Sequence, residues 1–280
     1  MDTNVGFIGT GNMGSALVKG ISKSGIIPTS NIYISDIDRN KLGDLSKETG
    51  ANMVFNPADL VEKSDVIIIA VKPNVVKSVL EECRKTIDNK KVIVSIAVGI
   101  TTGYCKNIIG RDIKVIRAMP NTPALIGEGV TVLCGSSGVS EEDFDTVEKV
   151  FECAGKVERI DEKHMDEVIA VTGSSPAYVF MFVEAMADAA VLSGIPRDIA
   201  YRLSANAVSG SAKMIAESGK HPAELKDMVC SPGGTTIEAV RVLERSSFRS
   251  SIIEAMKACS KKAKEICEKL WSDSIQEDKK

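Results

Sequence analysis

Apolar positions change their period part-way along the chain. Up to about residue 160, β-branched runs recur at Val5–Ile8, Asn31–Ser35, Val66–Val71, Val92–Ile96, Val115–Arg117, Thr131–Leu133 and Val157–Ile160. Gly, Pro, Asn and Asp punctuate them, which predicts strands. The intervening segments Ser15–Ser24, Arg39–Thr49, Pro57–Lys63 and Val75–Thr86 have helical composition and spacing. Apolar strands alternating with helices predict a doubly wound, mainly parallel α/β sheet covered on both faces. Beyond residue 160 the period becomes 3.6. Ile252, Met256, Cys259, Ala263, Ile266 and Leu270 form one stripe on a long helix, and Val179–Leu192 and Asp198–Ala216 are also helical. Small residues at Ser204, Ala205, Ala207, Ser209 and Gly210 allow close helix approach, so the second part reads as an all-helical domain that packs against another copy of itself. The expected division is 1–160, 161–272 and a polar tail, 273–280.

Composition removes several classes of function. The 280 residues carry 35 Lys+Arg against 38 Asp+Glu, a net charge of −3, so no basic face for nucleic acid is expected. No strictly apolar run, Val66–Val71 among them, approaches the ~18 residues of a membrane span, and the chain starts Met-Asp-Thr-Asn rather than with a signal segment. A cytoplasmic protein is expected. Seven scattered cysteines without a Cys-x-x-Cys pair suggest neither a disulfide framework nor a zinc site, and they read as small buried hydrophobes. Only two histidines, His164 and His221, are present, so the chemistry must proceed without a histidine cluster or metal centre.

The first strand runs directly into Gly9-Thr10-Gly11-Asn12-Met13-Gly14, which opens a helix. A G-x-G-x-x-G in this context is a dinucleotide-binding, Rossmann-type turn: Gly9 makes the bend, Gly11 admits a pyrophosphate and Gly14 lets the helix pack close to the sheet. Helix N–H groups and the positive dipole end would hold the phosphates. Asp36 lies 22 residues after Gly14, where an acidic group bonds adenosine ribose hydroxyls and repels a 2′-phosphate. Ser35 and Arg39 beside it could instead hold that phosphate. Either NADH or NADPH therefore fits. Two further strand ends, Ala70-Val71-Lys72-Pro73 and Ala97-Val98-Gly99, complete a cleft in which small residues let a flat ring lie against backbone.

Two loops in the second part crowd hydroxyls, prolines and glycines before helices: Thr172–Tyr178 and Cys230–Ile237. In the latter, Gly233 and Gly234 expose backbone N–H groups, Thr235 or Thr236 can cap the helix, and the helix start favours an anion. The loop suits a carboxylate plus one hydroxyl donor.

Taken in order, Gly9–Gly14, Ala70–Pro73, Arg117-Ala118-Met119-Pro120-Asn121-Thr122-Pro123, Gly127-Glu128-Gly129, Pro176-Ala177-Tyr178, His221-Pro222 and Ser231-Pro232-Gly233-Gly234-Thr235-Thr236-Ile237 resemble the pyrroline-5-carboxylate reductase family over residues 4–270. The resemblance implies a Rossmann domain followed by a helical dimerisation domain, in interlocked dimers that often assemble further, commonly into a decamer. It implies reduction of (S)-1-pyrroline-5-carboxylate to L-proline, with a lean toward NADPH. It also implies Asn56 and Asn121 on the cofactor, the Ser231–Thr236 amides on the substrate carboxylate, and the Thr236 hydroxyl on the ring nitrogen. Departures are Ser175, where the family usually has Gly, and Val98, where it has Ala.

Rival readings are weaker. A β-hydroxyacid dehydrogenase needs a catalytic Lys on the helix after Pro176, which carries none. A non-catalytic NAD(P) sensor is the alternative of another class. A protonated imine is already electrophilic, so the scarcity of histidine suits this reaction.

Overall fold

Short β-branched strands and amphipathic helices alternate to build one eight-stranded sheet. The computed structural model describes residues 1–277, and side chains as far as Ser272. The strands are β1 (Val5–Ile8), β2 (Ile32–Ser35), β3 (Asn52–Met53), β4 (Val66–Ile69), β5 (Val92–Ser95), β6 (Lys114–Met119), β7 (Gly129–Gly135) and β8 (Gly155–Arg159). They lie in the order β3-β2-β1-β4-β5-β6-β7-β8, parallel throughout except for the antiparallel pair β6–β7. The connecting helices are α1 (Asn12–Ser24), α2 (Arg39–Thr49), α3 (Pro57–Lys63), α4 (Pro73–Cys83), α5 (Thr102–Ile109), α6 (Glu141–Glu152) and α7 (Met165–Val168).

Strand alternation sorts the core into two layers. Val5, Phe7, Ile32, Ile34, Ile68 and Val94 face α1, α2 and α6, where Leu17, Leu42 and Phe151 meet them. Ile8, Ile67, Ile69 and Ile93 face α3, α4 and α5, against Leu60, Leu80 and Ile108. Each such fully buried side chain contributes roughly 1.5–3 kcal/mol of transfer free energy. Coverage on both faces explains why the strands read as continuous apolar runs rather than alternating ones.

The switch in strand order between β1 and β4 sets the site. Ile8 pairs with Ser35 on one side and Ile69 on the other, and Ile69 pairs with Ser95, so four strands end level at one edge. Ligands of open α/β sheets bind outside such an edge.

Three elements escape the sequence pattern. β3 is two exposed residues and carries no alternation. α5 and α6 were not expected, although Ser140 and Asp143 form a capping box that marks the start of α6. The expected boundary at residue 160 also moves. The chain forms two compact units, the first comprising Met1–Ser174 and the chain from Cys259 on, the second Ser175–Ala258. The reason is burial. Met165, Val168 and Ile169 join Met119, Val132 and Cys134 in a third apolar cluster, and Ala263, 3% exposed, completes it.

A single π-turn, Ile169–Gly173, leads to the second unit. There α8 (Ser175–Leu192) and α9 (Arg197–Ser218) pack together, followed by α10 (Pro222–Val229), α11 (Thr235–Arg245) and the start of α12 (Phe248–Glu277). Helix α12 runs through part of the expected tail, whose residues 278–280 lie outside the described residues. The helical stretch Glu162–Leu192 is long and apolar enough by composition to cross a membrane. Strict apolar runs miss it because Glu184 and Asp188 interrupt the pattern.

Candidate active site

The turn between β1 and α1 shows why glycine stands at each of its three positions. Gly9 has φ +101°, and a Cβ there would meet the Ala70 carbonyl oxygen at 2.7 Å. A Cβ on Gly14 would lie 2.3 Å from the Gly9 carbonyl oxygen. A Cβ on Gly11 would meet nothing within 4 Å, so backbone here is open to a ligand. Gly11 is also the N-cap of α1 and supplies no side-chain acceptor. By contrast α2, α3, α5 and α6 are capped by Asp38, Asn56, Thr101 and Ser140. The start of α1 therefore presents donors and a positive dipole end to an incoming anion, and the residues fit a dinucleotide pyrophosphate. Asn12 is exposed and Met13 half-buried at this start. A groove of about 900 Å³ runs from Gly11 and Asn12 along α1 past Lys19 and Lys23.

At the end of β2 the Asp36 carboxylate is held from two sides. Its Oδ2 accepts from the Thr10 amide at 2.6 Å and the Thr10 hydroxyl at 2.9 Å, and its Oδ1 accepts from the Asp38 amide at 2.9 Å. Burial by itself would raise this carboxyl, but those donors and the nearby Lys41 charge hold it below the ordinary carboxylate range. Ile37 beside it is fully exposed, and the Arg39 guanidinium lies 4.3 Å above the ring of Phe55. No motif flagged Ile37 or Phe55. Their signal was an apolar residue between two aspartates and another next to a cap.

Three expected ligands are placed differently by the fold. Ser35 is 2% exposed, because it shares the inward face of β2 rather than the open edge, and it is not positioned to receive a 2′-phosphate. Asn121 is buried. Its amide bridges the Val130 N–H and the Thr172 carbonyl, tying β7 to the π-turn, so it serves the framework instead of an open cleft. The Asn56 Oδ1 is occupied by the Ala58 and Asp59 amides at the start of α3.

The ends of β4 and β5 form the other wall. Ala70 and Val71 are half-buried, Lys72 is exposed and Pro73 opens α4. Ala97 is buried, and Val98 packs partly against the third apolar cluster, which accounts for the larger residue there. Gly99, at φ +82°, lies under α12. A Cβ on it would sit 3.0 Å from Leu270 and 3.3 Å from Ile266.

In the second unit, the Ser231–Thr236 segment is a turn leading into α11. The Gly234 amide donates to the Ser231 carbonyl at 3.0 Å, and Gly233 has φ +69°. A Cβ on Gly234 would lie 2.4 Å from Ser231 Oγ. The N-cap is Gly234, without a side-chain acceptor, so neither Thr235 nor Thr236 caps the helix. Both begin its first turn instead. Thr236 is half-buried and its neighbour Thr235 exposed.

Known proteins match along nearly the whole chain. Residues 162–266 match the family model for pyrroline-5-carboxylate reductase dimerisation, and residues 4–99 match that for NADP oxidoreductase, coenzyme F420-dependent. The pyrroline-5-carboxylate reductase of Escherichia coli (strain K12) is 47% identical over 266 residues, covering 95% of this chain and 99% of its own. That of Arabidopsis thaliana is 40% identical, covering 94% and 95%. The Coxiella burnetii pyrroline-5-carboxylate reductase superposes with a TM-score of 0.91 at 32% identity, covering 95% and 99%. The Plasmodium falciparum pyrroline carboxylate reductase with NADP bound gives 0.85 at 33%, covering 95% and 98%. With the phosphate-binding turn at the sheet edge, the glycine-capped turn before α11 and this full-length similarity together, the chain belongs to the pyrroline-5-carboxylate reductase family.

Proposed function

We propose that this chain reduces (S)-1-pyrroline-5-carboxylate to L-proline with NADPH or NADH, as the last step of proline formation. The observation that carries the reading is the Ser231–Thr236 turn, whose glycine cap leaves first-turn amides unclaimed by any side chain. Reduced nicotinamide, when bound, supplies the hydride.

The protein's own task is placement. The open backbone at Gly11 and the uncapped start of α1 hold the pyrophosphate. Asp36 reads the adenosine ribose with Arg39 three residues on, while Ala70–Pro73 and Ala97 wall the cleft. The amides of Ser231, Gly233 and Thr235 bind the substrate carboxylate, while the Gly234 amide holds the turn through the Ser231 carbonyl. The Thr236 hydroxyl hydrogen-bonds the ring nitrogen, its oxygen accepting from the N–H of the protonated imine, and so orients the imine carbon as the C–H bond forms. A protonated C=N needs no stronger base, so positioning accounts for most of the rate.

The exposed apolar surface of the second unit supports a homodimer as the minimal assembly, working in the cytoplasm on a small-molecule substrate; light scattering distinguishes a dimer from a decamer. Absorbance of the reduced cofactor, followed with pyrroline-5-carboxylate and each nucleotide, tests the activity. Absence of turnover with both overturns it. Thr236→Ala is expected to lower kcat/KM more than tenfold with cofactor affinity nearly unchanged, and an unaltered kcat/KM removes that role from Thr236.

A further inference from the structure

We infer that Asp36 makes this enzyme prefer NADH to NADPH. The inference rests on the reading of Gly9–Gly14 as the dinucleotide turn, and it names the cofactor that this turn serves best.

The end of β2 lies against the turn, since the Gly9 amide donates to the Ser35 carbonyl at 2.8 Å. This is where the adenosine ribose of a bound dinucleotide is read. Asp36 cannot swing away from the ribose position, because Thr10 holds its Oδ2 through two donors. An ionised carboxylate oxygen can accept about two hydrogen bonds. Oδ2 has both. Oδ1 has one, from Asp38, and keeps capacity for a ribose hydroxyl. A 2′-phosphate would bring about two negative charges against the same fixed carboxylate. Ser35, the neighbouring hydroxyl, is buried. Two cations lie beside these carboxylates. Arg39 lies over Phe55, and Lys41 faces the Asp38 carboxylate at 3.7 Å. Asp38 itself adds a second carboxylate to this loop, and its Oδ1 caps α2. A fixed carboxylate with one open lone pair rewards a hydroxyl and penalises a phosphate.

The test uses the full chain and measures Kd for NAD⁺ and NADP⁺ by calorimetry, alongside kcat/KM for NADH and NADPH. The wild-type protein is expected to bind NAD⁺ at least tenfold more tightly than NADP⁺ and to show the same order in kcat/KM. Asp36→Ser is expected to move the Kd ratio toward NADP⁺ by at least tenfold. Asp36→Asn keeps the shape of the side chain and removes its charge, and it should move the ratio in the same direction if loss of the Thr10 contacts unfolds the serine variant. Arg39→Ala should leave the ratio within threefold of wild type. Equal or tighter NADP⁺ binding by the wild type overturns the inference, as does a ratio that neither Asp36 variant shifts, or a selective loss of NADP⁺ in Arg39→Ala. Those results leave the reductase reading standing. Failure to bind either nucleotide overturns both.

Discussion

Among single residues, Arg117 is the most heavily committed charge in the first unit. It is 1% exposed, its guanidinium bonds Asp166 at 2.8 Å, and its Nε has no partner. The thiols around it are inert: burial, with Glu162 adding to it, pushes Cys105 and Cys134 up to about 12. Removing one member of a buried pair strands the other without solvent. Asp166→Ala is therefore expected to lower unfolding stability in urea by about 3–5 kcal/mol. The double variant Arg117→Met, Asp166→Ala should recover much of that loss, and a double variant as unstable as the single would show that the pair is not the cause. No local signal marks this burial, because an arginine ending a strand run reads as a surface residue until the packing of α7 is known. Ser35 teaches the same lesson. Spacing from the glycine turn puts it near the site, but strand alternation, which only register fixes, turns it inward.

Helices differ in what stands at their N-termini. Where a side chain caps the helix, it takes up first-turn amides; at α1 and α11 the N-cap is a glycine with no side-chain acceptor. The capping box of α6 belongs to the first kind. Ser140 Oγ accepts from the Asp143 amide, and the Asp143 carboxylate accepts from the Ser140 amide at 2.8 Å and from Lys114 at 2.9 Å. Burial raises this carboxyl, yet Lys114 and Ser140 outweigh burial and hold it below the ordinary carboxylate range. Its folded pKa is thus lower than its unfolded one. The stabilisation is complete above the unfolded value and is lost as pH falls through the folded one, from about pH 5 downward. Asp143→Asn is expected to lower Tm by a few degrees at pH 7, about 1 kcal/mol for a lost cap, and the gap from wild type should narrow in acid. A gap that stays constant with pH would assign the effect to shape instead of charge. The S-x-x-D signature was legible in the sequence, whereas the Lys114 partner on β6 was not.

For the whole molecule, the open question is what covers α8. It is apolar nearly all round, yet Ala187 is its one buried residue, with Phe180 at 63% and Leu192 at 90% exposed. A helix of that character is stable in water only when another surface covers it. The wild-type protein is expected to run as an oligomer in size-exclusion chromatography with light scattering. Phe180→Glu combined with Met181→Lys should shift it toward monomer and reduce turnover, and a monomeric wild type would contradict the proposed assembly. Much of this architecture follows from the chain alone. The period-two runs define the strands, the 3.6-residue period marks the change to helices, and the glycines at 9, 11 and 14 mark the phosphate turn, because each depends on local geometry that a few consecutive residues dictate. The tertiary structure decided what local geometry cannot reach. Strand register chose the faces of Ser35 and Asp36, long-range packing sent the end of α12 back over Gly99, and burial moved the unit boundary to residue 174, since each depends on groups that lie far apart in sequence and meet only when the chain has folded.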